Sequence, residues 1–172
     1  MKYQATEKLE QLHYEMIRLY SGDPKRIQHF CKVHSYAKLI AYREGIEDET
    51  AFILEAAALT HDIGIHLCEE KYGDCNGKLQ EKEGPALAAK LLAKLEFPEE
   101  VSVRVQYLIA HHHTYQNIDG IDYQILVEAD FLVNLYEDAL PEAAIQHACT
   151  NIFRTKTGKE ICRAMYHITE QK

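Results

Sequence analysis

The sequence predicts an all-α fold, a compact single-domain helical bundle. Apolar residues recur at helical spacing along most of the chain, and no segment shows the sustained alternation that is typical of a strand. With 172 residues, the chain is long enough to bury a core without disulfides. We therefore predict one domain over residues 1–172, with a motif-bearing core at about 23–137 and C-terminal helices within 141–172.

Caps and breakers mark the helix ends. Asp23-Pro24 shows the pattern most clearly, because a capping residue is followed by proline at the first helical position. The stretch 66–83 is polar and contains glycine, and we predict a surface loop or lid there. The same signals predict helices at about 4–20, 24–45, 48–64, 85–97, 99–112 and 121–137, with two more after Pro141 and Gly158.

Composition and charge narrow the classes of partner. The net charge of −8 and the lack of a Lys/Arg cluster argue against a nucleic-acid polymer, which requires a basic surface. No apolar run approaches the roughly 20 residues that span a bilayer, so we expect no membrane partner. The amino terminus lacks the apolar region of a secretory signal. Five scattered cysteines without CxxC spacing are typical of reduced thiols, and we expect a cytoplasmic protein.

Several histidines and aspartates that could bind a metal ion lie at the ends of apolar helices or within them. His61-Asp62 closes the segment AFILEAAALT, and Asp130 lies within QILVEADFLVN. A carboxylate among such neighbours should be buried, where it must be paired or bind a cation. Imidazoles and two carboxylates from separate helices suit Mn, Fe, Co, Ni or Zn. The second predicted helix offers two candidate imidazoles, His29 and His34.

Three motifs follow one another along the chain. The first is Arg26-x-x-His29-x-x-x-Val33-x-x-x-Ala37, the second is ALTHDIG, and the third is VEADFLVN. In this order and helical context, the chain resembles the HD-domain metal-dependent phosphohydrolase superfamily over about residues 23–137.

This resemblance implies a metal centre. His29, His61, Asp62 and Asp130 would ligate one divalent ion, with His29 rather than His34 in the ligand position.

The resemblance also raises the question of a second ion. Many members of the superfamily hold two ions, using a His-His pair at a helix end and a histidine after the His-Asp turn. His111-His112 matches the pair, but no histidine stands before Gly84. Glu81 or Glu83 would have to supply an oxygen ligand there, which manganese or iron accepts. Alternatively, these glutamates belong to a solvated charge run that opens a helix.

The resemblance implies hydrolysis of a phosphate ester, and a nucleotide or related small phosphate is the leading substrate class. His61 and Asp62 would be the catalytic residues, with Asp62 acting as ligand and as orienter of the attacking water. Lys71 and Arg26 are candidates to receive the substrate phosphate, as is His112.

Two other functions remain open from the sequence. A non-catalytic metal- or nucleotide-binding module would fit a degraded site, whereas the four principal ligands are present. A di-iron oxygenase of the same fold needs a complete second set of ligands, whereas the sequence has no histidine at the position before Gly84.

Overall fold

The computed structural model describes residues 2–168, with side chains from residue 5 onward, and this part of the chain is helical without a strand. The all-α prediction is confirmed. The helices are α1 (Lys2–Leu19), α2 (Pro24–Glu44), α3 (Asp48–Thr60), α4 (Ile65–Tyr72), α5 (Gly77–Lys94), α6 (Glu99–His111), α7 (Ile121–Glu137), α8 (Glu142–Asn151) and α9 (Lys156–Tyr166).

Helix α2 has the ends that its sequence predicts. The Asp23 carboxylate accepts a hydrogen bond from the backbone N–H of Arg26 at 3.2 Å, and Pro24 occupies the first helical position. Gly45 ends the helix in the left-handed conformation, with φ of 68°. The buried face of α2 carries His29, Phe30, Val33, Ala37, Ile40 and Ala41.

The predicted loop or lid at 66–83 is wrong. Most of it is helical, belonging to α4 and to the start of α5, and only residues 73–76 connect the two. Gly73 ends α4 at φ of 72°, and the Asn76 side chain caps α5 by accepting from Leu79 N at 3.1 Å. Helix α5 therefore begins before Pro85, which lies inside it. Gly73 and Asn76 lie in a polar stretch, so the sequence pattern predicted a continuous loop instead of two helix ends.

Helix α3 lies at the centre of the bundle. It contacts α1, α2, α6 and α7, while α2 packs on α7 and α5 packs on α6. The segment Asp48–Tyr72 is apolar and long enough to meet the length and composition of a membrane span, but 61% of its apolar window is buried inside the protein. Its apolar character is thus that of a core element.

The C-terminal helices are attached through a buried carboxylate on α7. Glu128 is fully buried and accepts hydrogen bonds from the backbone N–H groups of Arg154 at 2.5 Å and Thr155 at 2.8 Å. Gln124 donates to the same carboxylate at 2.7 Å. These bonds satisfy a charge that would be costly to bury alone. Residues 169–172 of the predicted C-terminal segment lie outside the described residues.

Candidate metal centre

Four side chains from three parts of the bundle converge on one point. His29 Nε2 lies 3.2 Å from His61 Nε2, 3.2 Å from Asp130 Oδ1 and 3.4 Å from Asp62 Oδ2. His61 Nε2 lies 3.5 Å from Asp62 Oδ2 and 3.6 Å from Asp130 Oδ1. Bonds of about 2.0–2.2 Å to one ion place neighbouring ligand atoms at about this separation. The sequence prediction brought together the same four residues.

Local structure explains how these side chains meet. His29 lies on the buried face of α2, and Asp130 on the buried face of α7. His61 is the C-terminal cap of α3, and Asp62 follows it in the turn that leads to Gly64. A Cβ on Gly64 would lie 3.0 Å from the backbone nitrogen of Gly84, so the turn packs closely against α5 only because glycine is present.

Hydrogen bonds at the outer ring nitrogens orient the imidazoles. His61 Nδ1 lies 2.8 Å from the carbonyl oxygen of Ala58, and His112 Nδ1 lies 2.7 Å from that of Ile109. Because a carbonyl only accepts, each Nδ1 carries a hydrogen, so that Nε2 is the nitrogen whose lone pair faces the centre when the ring is neutral. His29 Nδ1 lies 2.8 Å from Glu137 Oε2, which gives it the same orientation. Such outer contacts are typical of metal-ligating histidines.

The electrostatics of the cluster favour charged groups. Burial opposes the charge on His29, but the hydrogen bond to Asp130 and the charge of Asp62 raise its pKa to about 9. Burial likewise opposes ionisation of Asp62, but the charge of His61 lowers its pKa below the usual range. Asp130 also has a pKa well below its usual value, because His29 and His61 outweigh its burial. The carboxylates are therefore ionised, as ligands must be.

A second group of donors adjoins the first. Asp62, His112 and His113 offer ligand atoms within 4.8 Å of one another, and Asp62 Oδ1 lies 3.6 Å from His112 Nε2. That Nε2 is fully buried and has no hydrogen-bond partner among the described residues. An orphaned buried nitrogen beside a carboxylate fits a ligand whose ion would satisfy it. The two carboxylate oxygens of Asp62 thus face different donor groups.

The pair of adjacent histidines in this second group differs from the pair that the sequence predicts. The sequence pattern pointed to His111 with His112, whereas the structure places His112 with His113 beside Asp62. The His111 ring instead packs on Tyr107, with centroids 4.3 Å apart, and its Nδ1 lies 2.7 Å from the Tyr107 carbonyl oxygen. Assigning His111 to the second group was therefore wrong. Helix α6 ends at His111, so the next two residues turn toward the centre.

Glu81 supports the second group without joining it. Its carboxylate accepts from the backbone N–H of His113 at 3.1 Å and from the Thr114 hydroxyl at 2.8 Å, and it pairs with Lys78 at 2.8 Å. It is absent from both donor groups found among the described residues. Glu83 pairs instead with Lys71 at 3.0 Å. In the structure, therefore, neither Glu81 nor Glu83 occupies the position of the oxygen ligand that a second ion would need before Gly84.

The two cations proposed to receive phosphate are each paired with carboxylates. The Lys71 ammonium contacts the carboxylate of Glu83. The Arg26 guanidinium contacts Asp23 at 2.6 Å and also contacts Glu69. Arg26 is about one-third exposed, so it remains on the surface. Among the described residues, neither cation forms an ion pair with the two carboxylates of the converging cluster, Asp62 and Asp130.

Comparison with known proteins identifies the family of the chain. The model of the HD domain family matches residues 26–149, which is more than half of the chain. This chain belongs to the HD-domain family. It is also similar to a predicted HD superfamily hydrolase from an uncultured Thermotogales bacterium, with a TM-score of 0.62 and 26% identity, covering 94% of this chain and 84% of that one. No curated protein matches the chain.

Two residues of this HD-domain protein escaped the sequence prediction. His113 matches none of the three motifs, although it completes the second donor group. Glu137 also lies outside them, although it contacts His29. Asp130, Asn134 and Glu137 are spaced four and three residues apart on α7, which places them on one face. That polar stripe on an otherwise apolar helix is the signal that would have found Glu137.

Proposed function

We propose that this HD-domain protein is a divalent-metal-dependent phosphohydrolase that acts on a small phosphate ester, with a nucleotide as the leading class. The observation that carries the proposal is the convergence of four side chains, in which the Nε2 atoms of His29 and His61 lie 3.2 Å from each other and 3.2–3.6 Å from carboxylate oxygens of Asp62 and Asp130. An ion of the Mn, Fe, Co, Ni or Zn class would be held there. When bound, such an ion lowers the pKa of a coordinated water and polarises a phosphoryl oxygen.

The protein's own groups divide the remaining work. Asp62 has the most exposed side chain of the four, at 17%, so it borders the open end of the centre. There its carboxylate can accept a hydrogen bond from the attacking water and hold it toward phosphorus. His61 and Asp130 are almost fully buried and act as fixed supports. His112 and His113 lie beside Asp62 and would hold a second ion or contact the phosphate.

A small anionic substrate must be attracted to a protein of net charge −8. We propose that bound ions supply most of that attraction, since Lys71 and Arg26 are already paired with carboxylates. Lys78 is also paired, with Glu81, but its side chain is 77% exposed and its ammonium contacts the Thr114 hydroxyl next to His113, so it is a further candidate to contact the phosphate. The proposed partner is thus a small phosphate in the cytoplasm, with neither a nucleic-acid polymer nor a membrane involved.

A panel of substrates tests this proposal. Protein stripped with a chelator is reloaded with each of Mn, Fe, Co, Ni and Zn and assayed on aryl phosphates, aryl phosphodiesters, nucleotides and cyclic nucleotides. We expect metal-dependent phosphate release that is lost in Asp130→Asn. Asp138→Asn is the matched control, because Asp138 is an exposed residue one position after the same helix. Absence of hydrolysis with every metal would contradict the proposal.

One observation favours a second candidate, a di-iron oxygenase. The sequence has no histidine before Gly84 for a second ion, but Asp62, His112 and His113 offer three potential ligands beside the first group. Iron-loaded protein that consumes dioxygen in the presence of a small organic substrate, and releases no phosphate from any ester, would favour the oxygenase. Stoichiometric metal binding without either reaction would favour the non-catalytic module.

A further inference from the structure

A cleft separate from the candidate metal centre lies between α1, α2 and α3. It has a volume of about 410 Å³, and its lining includes His13 from α1, His34 from α2 and Glu55 from α3. His34 follows His29 by five residues, which turns it about 140° around α2, away from the centre. His34, the other candidate ligand in the sequence, therefore faces this cleft.

Three potential metal ligands that line the cleft, His13, His34 and Glu55, are joined by Cys31, which lies beside the cleft, and the four occur as two hydrogen-bonded pairs. His13 Nε2 lies 3.0 Å from Cys31 Sγ, and His34 Nε2 lies 2.9 Å from Glu55 Oε2. The rings of His13 and His34 have centroids 5.5 Å apart. The ligand rings of the centre, His29 and His61, have almost the same separation, 5.3 Å.

We propose that His13, Cys31, His34 and Glu55 form a second, independent site for a divalent ion of the zinc class. Zinc takes thiolate, imidazole and carboxylate ligands at about 2.0–2.3 Å in a tetrahedral arrangement, and this set supplies all three donor types. A tetrahedron of that size separates ligand atoms by about 3.3–3.7 Å, only slightly more than the spacing within each pair. The thiol favours zinc or cobalt over the harder manganese and magnesium.

Binding requires a rearrangement of side chains. Among the described residues, only the two donor groups of the candidate metal centre have three ligand atoms within 4.8 Å of one another, so the His13–Cys31 and His34–Glu55 pairs must rotate toward a shared ion. The Cys31 thiol must also lose its proton, because the thiolate is the ligand. Lys38 contacts Glu55 at 3.3 Å, but its side chain is 61% exposed and is free to turn into solvent as the ion enters.

The charges of the cleft suit a cation. The side chain of Glu55 is 13% exposed. Burial opposes its ionisation, but His34 and Lys38 keep its pKa below the usual value. Burial lowers the pKa of His13, which leaves a neutral imidazole available as a ligand. Glu10 and Asp48 also line the cleft and add negative charge.

We expect an ion at this site to stabilise the packing of the first three helices. Helix α1 packs on α3, and the proposed ion would join α1 to α2 as well through His13, Cys31 and His34. An ion that binds the folded chain and not the unfolded one raises the unfolding temperature. The site does not depend on the proposed hydrolytic function, because none of its four ligands belongs to the centre.

Cobalt titration of the chelator-stripped full-length protein tests the proposal. Tetrahedral cobalt bound by a thiolate gives a near-ultraviolet charge-transfer band and intense visible absorption. We expect that band in the wild type once enough cobalt has been added to fill both the candidate metal centre and the proposed site, its loss in Cys31→Ser and His13→Ala, and its retention in Cys75→Ser. Cys75 is the matched control, since its thiol lies near Cys68 and interacts electrostatically with Asp62 of the candidate metal centre, away from the proposed site.

A second measurement keeps the test decisive if Cys31→Ser is poorly folded. His34→Gln retains a hydrogen-bond donor for Glu55 but removes the ring, so it should fold while abolishing the rise in unfolding temperature that zinc produces in a His61→Ala background. Mn-dependent phosphate release, if the wild type has it, should be unchanged in Cys31→Ser. Absence of the cobalt band in the wild type, its persistence in Cys31→Ser, or an unaltered zinc response in His34→Gln would each overturn the site.

Discussion

Glu137 Oε2 lies 2.8 Å from His29 Nδ1, and Glu137 Oε1 lies 2.6 Å from the ammonium of Lys32. A carboxylate that accepts from the outer nitrogen of a metal-ligating histidine fixes the ring and raises its basicity. Burial opposes ionisation of Glu137, but Lys32 and His29 lower its pKa, so the acceptor stays charged. The helix that supplies Asp130 thus also orients His29.

Glu137→Gln should weaken metal binding at the centre by about 10–100-fold, because outer-shell partners of ligating histidines typically contribute that much. Lys32→Met should weaken it less, since the carboxylate itself remains. Competition with a chromophoric chelator for Mn²⁺ measures both. Asp138→Asn on the adjacent surface position should match the wild type. A Glu137→Gln protein with wild-type affinity would show that the contact is only structural.

His29→Ala and His34→Ala separate two histidines on one helix. His29 joins the converging cluster, whereas His34 hydrogen-bonds Glu55 at 2.9 Å on another face of α2. We expect His29→Ala to lose Mn²⁺ binding and any phosphohydrolase activity, while His34→Ala keeps both within a few-fold. Manganese is the appropriate probe because it does not favour a thiolate-containing site. The reverse outcome would mean that His34 rather than His29 serves the centre.

Metal stoichiometry distinguishes the three adjacent histidines. His112→Ala/His113→Ala should either reduce two bound ions to one or, if one ion is present throughout, weaken substrate binding, because both side chains lie beside Asp62. His111→Ala should change neither quantity, since its ring packs on Tyr107. Elemental analysis and the Michaelis constant supply the two readouts. An effect confined to His111→Ala would contradict the arrangement.

The metal-free protein should lose stability as the pH rises from about 6.5 to about 9. The pKa of His29 is raised from 6.5 to about 9 in the folded state, so its protonated form stabilises the fold fully below the lower value. That contribution disappears as the pH passes through the higher value. Unfolding temperatures measured across this range should fall less steeply in His29→Gln. A flat wild-type profile, or the same slope in both proteins, would contradict the assignment.

Sequence reasoning found helices where local signals are strong. Asp23-Pro24 and Gly45 mark both ends of α2, and the spacing of Val33 and Ala37 relative to His29 identifies its buried face. Asp130 was expected to be buried because its neighbours are apolar, and it is 3% exposed. These features depend on residues close in sequence, so pattern alone predicts them.

The features that the sequence missed depend on tertiary packing. Three consecutive histidines differ by about 100° each on a helix, so the pair that faces Asp62 depends on where α6 stops. A Cβ on Gly77 would lie 2.7 Å from the His113 ring, which shows how closely the start of α5 packs there. That approach has no local signature, whereas the helix ends at Gly73 and Asn76 do have one but lie within a polar stretch.

Phosphate release during Mn²⁺ titration of chelator-stripped protein tests the central claim most directly. Wild type and Asp74→Ala, an exposed control, should gain activity up to a plateau as the centre fills. Asp62→Ala should remain inactive at every Mn²⁺ concentration while retaining its helical circular dichroism, because it removes the carboxylate that faces both donor groups. Near wild-type turnover by folded Asp62→Ala, or wild-type turnover that persists without metal, would contradict the account.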